Sequence, residues 1–138
     1  MNRLAFAALI LLSACAPVTT SPSGPGTISG IVTYTPAIPL APGTAEVHVS
    51  LIDGTAPGLP AVAETSQPVG GQIPIAFTID YDGSAIVRDH HYYLRAEIRE
   101  IATGRATLAT AEDVPVIPGM LNAVELTLQP ATTIATGE

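Results

Sequence analysis

Lysine and tryptophan are absent from this 138-residue chain, cysteine occurs once, and the aromatic residues are four tyrosines and two phenylalanines. With five arginines against twelve carboxylates, the formal charge is −7. Such a chain has no basic stripe with which to neutralise phosphates, so nucleic acid is excluded as a partner. A single cysteine cannot form an internal disulfide and calls for another explanation in an exported chain. Few aromatics leave little material for the stacking platform that a sugar site would need. Long apolar runs are also missing. The longest, Leu4–Leu12, is about half of the ~20 residues that a spanning helix requires. Nucleophilic catalysis lacks its parts, because no serine sits in a Gly-x-Ser-x-Gly elbow. We therefore expect no enzyme, no catalytic residues and no cofactor.

The chain begins instead with a pattern of its own. Arg3 precedes the apolar run, and Ser13-Ala14 lead directly into the lone Cys15. A positive start, a short apolar core and small residues make a secretory signal. Leu12-Ser13-Ala14-Cys15 resembles a bacterial lipobox. That resemblance implies diacylation of the Cys15 thiol, cleavage before it and acylation of the new amino group. Two or three acyl chains anchor stably where one does not. In Gram-negative lipoproteins of this kind an aspartate after the cysteine retains the protein at the inner membrane. Ala16 here implies transfer to the outer membrane, lipid-anchored and facing the periplasm. Residues 16–26, rich in proline, glycine and hydroxyl side chains, read as a tether that cannot bury enough apolar surface to order itself. It spans roughly 20 Å as a coil and up to about 35 Å when taut. The expected organisation is a signal peptide at 1–14, acylated cysteine and tether at 15–26, a folded domain at 27–130 and a tail at 131–138.

Between tether and tail the hydrophobic pattern has period two, which argues strands. These are expected at Ile28–Thr35, Ala45–Asp53, Ala61–Ser66, Ile73–Tyr81, His91–Ile101, Thr107–Glu112 and Ala123–Gln129. Val47, Val49 and Leu51 should face inward, as should Ile75, Phe77, Ile79 and Tyr81, then Tyr92, Leu94, Ala96 and Ile98, and finally Val124, Leu126 and Leu128. Turn signals separate the strands, among them Asp53-Gly54, Gly70-Gly71, Asp82-Gly83, Thr103-Gly104 and Pro118-Gly119. Residues Ser84–Asp89 allow at most one short helical turn. Seven short, punctuated strands predict an all-β fold, a single antiparallel β-sandwich of the immunoglobulin or transthyretin-like kind.

Several segments together resemble the YscW/YbaY type of small lipoprotein, the family that includes type III secretion pilot lipoproteins. They are Ile28-Ser-Gly30-Ile-Val32-Thr-Tyr34, Leu40-Ala-Pro42-Gly43, Glu46–Asp53, Gly71-Gln72-Ile73-Pro74-Ile75-Ala76-Phe77, Tyr81-Asp82 and His91–Ala96. The Gly-Gln-x-Pro-Ile-x-Phe stretch is the most specific. Ala76 departs from relatives that carry a second proline there. The resemblance implies a compact β-domain on an outer-membrane anchor that binds another envelope component, with a secretin subunit as the partner in the pilot version. The alternative is a general envelope-maintenance or glycan-associated lipoprotein without a dedicated secretion partner, because a shared fold does not fix function.

Other candidate sites are weak. His90 and His91 are adjacent on a strand and point to opposite faces, so they cannot share one ion, and no further ligands stand at metal spacing. Asp80-Tyr-Asp82-Gly83 begins like a calcium loop but has His91 at position twelve, so a turn is the better reading. No metal site is expected. Tyr93, Arg95 and Arg99 on the exposed face of strand five are the candidate partner-binding residues, since tyrosine and arginine are favoured at interfaces. The competing reading packs one tyrosine in the core and pairs the arginines with Glu97 or Glu100.

Overall fold

The computed structural model describes residues 24–35, 40–120 and 123–131. The signal and most of the tether expected before Gly24 lie outside these residues, as does the tail beyond Ala131. Among the described residues there are eight strands: β1 (Pro25–Tyr34), β2 (Ala45–Asp53), β3 (Ala63–Pro68), β4 (Ile75–Asp82), β5 (Tyr92–Glu100), β6 (Ala106–Thr110), β7 (Val114–Val116) and β8 (Ala123–Pro130). A single 3-10 turn, Gly83–Ala85, follows β4, and no α-helix occurs among the described residues.

The strands join in one sheet of order β3-β2-β5-β6-β8-β1-β4, with β7 added to β5 beside β6. Period-two burial decides which residues face in. On β4 the pattern alternates without a break, Ile75, Phe77, Ile79 and Tyr81 buried and Ala76, Thr78, Asp80 and Asp82 exposed. Val47, Val49 and Leu51, then Leu94, Ala96 and Ile98, then Val124, Leu126 and Leu128 are likewise buried, and no polar side chain is buried among the described residues. Side chains of alternate residues thus fill one interior, and the opposite set meets water.

The expected all-β class holds, but the seven-stranded antiparallel sandwich does not describe this sheet. The first and last strands lie side by side and parallel, Gly30 opposite Val124 and Val32 opposite Leu126. This pairing carries the sheet from β8 through β1 to β4 and curls it into a nearly closed barrel. The two ends of the sheet, β3 and β4, meet at a seam where Gln67 Nε2 donates to the Ala76 carbonyl at 2.6 Å. Inward alternation is the same in a barrel and in a sandwich, so the pattern alone does not choose between them. The eighth strand, β7, is the short Val114-Pro115-Val116, set opposite Leu94, Tyr93 and Tyr92. A proline inside a run argues against a strand except at an edge, which is where β7 lies.

On β1 the inward positions are Gly26, Ile28, Gly30, Val32 and Tyr34. The two glycines sit opposite the two aromatics of β4, Gly26 against Tyr81 and Gly30 against Phe77. Each ring lies over the bare backbone of its glycine. A Cβ on Gly26 would come within 2.2 Å of the Tyr81 ring, and one on Gly30 within 2.8 Å of the Phe77 ring. Aromatic cover of strand glycines is a device for curving and closing sheets.

Candidate partner-binding surface

Strand β5 presents Tyr93, Arg95, Glu97 and Arg99 on its outer face. Tyr92 turns the other way into the core, and its hydroxyl accepts a hydrogen bond from Val87 N at 2.8 Å. Arg95 makes a two-pronged bond to Asp113, Nε to Oδ1 at 3.0 Å and Nη2 to Oδ2 at 3.2 Å. Its guanidinium carbon also stands 5.6 Å from the centroid of the Tyr93 ring. Tyr93, Arg95 and Asp113 therefore form one cluster. Planar guanidinium groups both stack on rings and fork onto carboxylates, which lysine does not. Arg99 lies apart from that cluster, bonded to Glu97. On the neighbouring β2, Ser50, His48 and Glu46 lie opposite Arg95, Glu97 and Arg99, and His48 Nε2 stands 3.5 Å from the Glu46 carboxylate. Arg95 thus finds its partner in neither Glu97 nor Glu100 but in Asp113, just before β7. Asp113 and the β7 edge were not legible as functional. Their only sequence signal is an acidic pair, Glu112-Asp113, immediately before a Val-Pro-Val segment.

Beside this cluster the sheet divides. Thr110 lies opposite Leu128, so β6 is paired with β8 as far as that point. Beyond it β7 pairs with β5 alone. The resulting gap is lined by Ala111, Glu112, Val114, Glu125, Thr127 and Gln129. Pro115 at its border has no backbone N–H to offer an added strand, a usual protection for an exposed edge. Pro115 lies opposite Tyr93 on this outer face, and Glu125 lines the gap beyond it.

At the end of the barrel where the chain enters, Asp53 ties the end of β2 to the segment before β5. His90 Nδ1 and Asp53 Oδ2 lie 2.6 Å apart, Thr55 N donates to Asp53 Oδ1 at 2.9 Å, and His91 N donates to Thr55 Oγ1 at 2.8 Å. An ionised carboxylate only accepts, so the Nδ1 nitrogen carries the proton. The His90 hydrogen bond holds the Asp53 carboxyl below the usual carboxylate value, with the Thr55 and Ala56 backbone N–H groups adding to it against a partial desolvation. A carboxyl lowered on folding stabilises the fold above its unfolded pKa and loses that contribution as acid protonates it. The His90→Ala variant should accordingly melt lower than the native chain at pH 5 to 7. The difference should shrink as the pH falls through the ordinary carboxylate range and be lost once acid protonates Asp53 in the folded state as well. Melting curves across that range check it, and a gap that persists at the acid end would assign the loss to packing.

No cluster of three or more histidine, cysteine, aspartate or glutamate side chains suited to a metal occurs among the described residues. Asp80 and Asp82 are committed to local bonds. Thr27 Oγ1 donates to Asp80 Oδ1 at 2.8 Å, while Ser84 N and Oγ both donate to Asp82 Oδ1, at 2.9 and 2.7 Å. The Ser84 bonds keep Asp82 below the usual carboxylate range. The carboxylate thus caps the turn at Gly83–Ala85.

Comparison with known families settles the relationship. The family described as type III secretion system lipoprotein chaperone, YscW, matches residues 23–128, the greater part of the chain. The chain belongs to the YscW family. Among solved structures, an alternative pilotin from the type II secretion system of Vibrio cholerae is similar at 28% identity and a TM-score of 0.66, covering 78% of this chain and 97% of that one. No curated protein matches. The YscW match spans all eight strands but for the last two residues of β8, so Tyr93, Arg95, Arg99, Asp113 and the divided edge all fall within it.

Proposed function

We propose that this YscW-family protein is a pilot lipoprotein. It is anchored by acyl chains on Cys15 in the inner leaflet of the outer membrane, and it binds a secretin subunit and escorts it there. The observation that carries this reading is the pairing of a chaperone family spanning the domain with a pilotin of the same fold, nearly the whole of whose chain is covered. The role is non-enzymatic. Attachment raises the effective concentration of a bound subunit at the leaflet, so a modest contact suffices for capture.

The binding face in this proposal is the outer surface of β5 around Tyr93 and Arg95, with Arg99 at its margin and the β7–β8 gap beside it. Tyrosine and arginine dominate binding energy where they occur in interfaces. Tyr93→Ala and Arg95→Ala should each weaken capture of the secretin tenfold or more, about 1.4 kcal/mol or above. Arg99→Ala should cost less, because that side chain lies at the margin, apart from the Tyr93–Arg95–Asp113 cluster. Binding isotherms with the purified secretin subunit measure this, and unchanged affinity in both main variants would remove the β5 face from consideration.

The direct test of function is crosslinking in cells with the full-length protein, followed by mass spectrometry of what is recovered. A single secretin-like protein is expected. Recovery of peptidoglycan-linked or general envelope proteins, with no secretin, would overturn the escort role in favour of envelope maintenance.

A further inference from the structure

Gly83 N donates to the Gly24 carbonyl at 3.0 Å, and Pro25 lies opposite Asp82. The chain therefore enters the barrel at one defined end. Strand directions sort the loops from there: residues 54–62, 83–91 and 117–120 lie at this near end, whereas 40–44, 69–74 and 101–105 lie at the far end. The exposed large apolar side chains are not spread evenly between the two. Among the described residues, Leu59 is 65% exposed at the near end, Ile117 62%, Met120 59% and Val87 49%, against Ile73 and Ile101 at the far end. Val87 and Ile117 border one shallow groove together with Ile86, Tyr92 and Pro118. Met120 N donates to the Ile117 carbonyl at 3.2 Å, which sets Met120 in the same turn. Single exposed apolar residues need no explanation, but a cluster of them does.

We propose that this near end docks on the phospholipid leaflet itself, with Val87, Ile117 and Met120 entering the boundary between headgroups and acyl chains. The proposal rests on the acyl anchor at Cys15. Gly24 is nine residues beyond Cys15, a distance of roughly 30 Å at full stretch and about 17 Å on average for a flexible chain. A barrel built on strands such as β4 is itself about 26 Å long. Presenting the far end to the leaflet would require the tether to run back along the whole barrel. The near end faces the lipid with slack to spare, and it is the end that carries the apolar side chains. Its charged groups are Asp53, Asp80, Asp82, Asp89 and Arg88, with His90 and His91 beside them. With one arginine against four carboxylates, this rim suits a zwitterionic surface and is repelled by an anionic one. Shallow insertion of a few apolar side chains, about 5–10 Å deep, is the usual geometry of interfacial binding. Docking in this way would leave the outer face of β5 and the far end turned toward the periplasm.

The acylated full-length protein provides its own test. Acylation consumes its only thiol, so one added cysteine can be labelled uniquely with an environment-sensitive fluorophore. Met120→Cys and Val87→Cys report on the near end and Thr103→Cys on the far end. The vesicles are equal parts phosphatidylethanolamine and phosphatidylcholine, with and without added phosphatidylglycerol. The labels at positions 120 and 87 should shift to the blue and be quenched by brominated lipid several-fold more than the label at 103, and more strongly on the neutral vesicles. Labels at 120 and 87 that remain as aqueous as the one at 103, on protein that still pellets with the vesicles, would overturn the docking and leave the anchor standing. Shielding that arises only when a secretin fragment is added would also overturn it and place a protein at that end. If the protein fails to pellet at all, the anchor is wrong and the docking falls with it.

Discussion

Replacing Cys15 by serine is expected to release the protein from the membrane almost completely. The proposed attachment depends on one atom, the thiol sulfur, because a serine hydroxyl is neither the nucleophile nor the recognition element of the lipobox that Leu12–Cys15 resembles. Each buried methylene contributes about 0.8 kcal/mol, yet a single fourteen-carbon chain holds a protein only with an association constant of about 10⁴ M⁻¹. Two or three chains multiply such terms into an effectively permanent anchor. The change from three chains to none therefore converts a protein found wholly with membranes into one that is not, unless an uncleaved signal holds it. The near-end side chains Val87, Ile117 and Met120 cannot compensate, since three partly inserted side chains bury far less than one acyl chain. Fractionation after labelling with radioactive palmitate separates the cases. Serine protein without label and outside the outer-membrane fraction is the expected result. In the same cells the secretin should collect away from the outer membrane. Labelled serine protein in the outer membrane would place the anchor on some residue other than Cys15.

The inward face of the barrel was legible from sequence. Val47 to Leu51, Ile75 to Tyr81, Tyr92 to Ile98 and Val124 to Leu128 alternate so regularly that burial followed from the pleat, and β2 begins and ends where its pattern does. The way in which the strands associate was not legible. The parallel contact of β1 with β8 joins residues almost a hundred positions apart, and nothing local in Ile28–Tyr34 records which strand will lie beside it. The hydrogen bond at the seam comes from Gln67, in a strand with no large apolar residue. The same limit applies to the surface. Tyr93 and Arg95 stood out by residue type, but the carboxylate that orients Arg95 lies 18 residues further along, just past the end expected for strand six at Glu112. The cluster at Val87, Ile117 and Met120 was missed for a related reason. Its members come from two loops far apart in sequence, and only the return of β4 and β7 to the end where β1 starts makes them neighbours. One sign was available in Ile117-Pro118-Gly119-Met120, a turn flanked by large apolar residues that a solvent-facing turn does not need.

The Gly30→Val substitution should unfold or severely destabilise the domain, because the space that Gly30 leaves is occupied by two different things. A Cβ there would stand 2.2 Å from the Val124 carbonyl oxygen and 2.8 Å from the Phe77 ring. The ring belongs to a side chain that can be trimmed, but the carbonyl belongs to β8, where the parallel register with β1 holds it. Relief therefore requires the two strands to part at the pairing that carries the sheet on to β4. Overpacking of a well-filled core costs about 1–3 kcal/mol when side chains can adjust, so a clash with backbone belongs at or above the top of that range. A domain with only 5–15 kcal/mol of total stability should then melt at least 10 °C lower, at roughly 4–8 °C per kcal/mol. Gly70→Ala is the matched control. No atom lies within 4 Å of a Cβ at that position, and its melting temperature should scarcely move. Adding Phe77→Leu to Gly30→Val should recover little, since the carbonyl contact remains. Substantial recovery in that double variant would show that the ring alone excludes a side chain at position 30, and that β1 and β8 can separate at little cost.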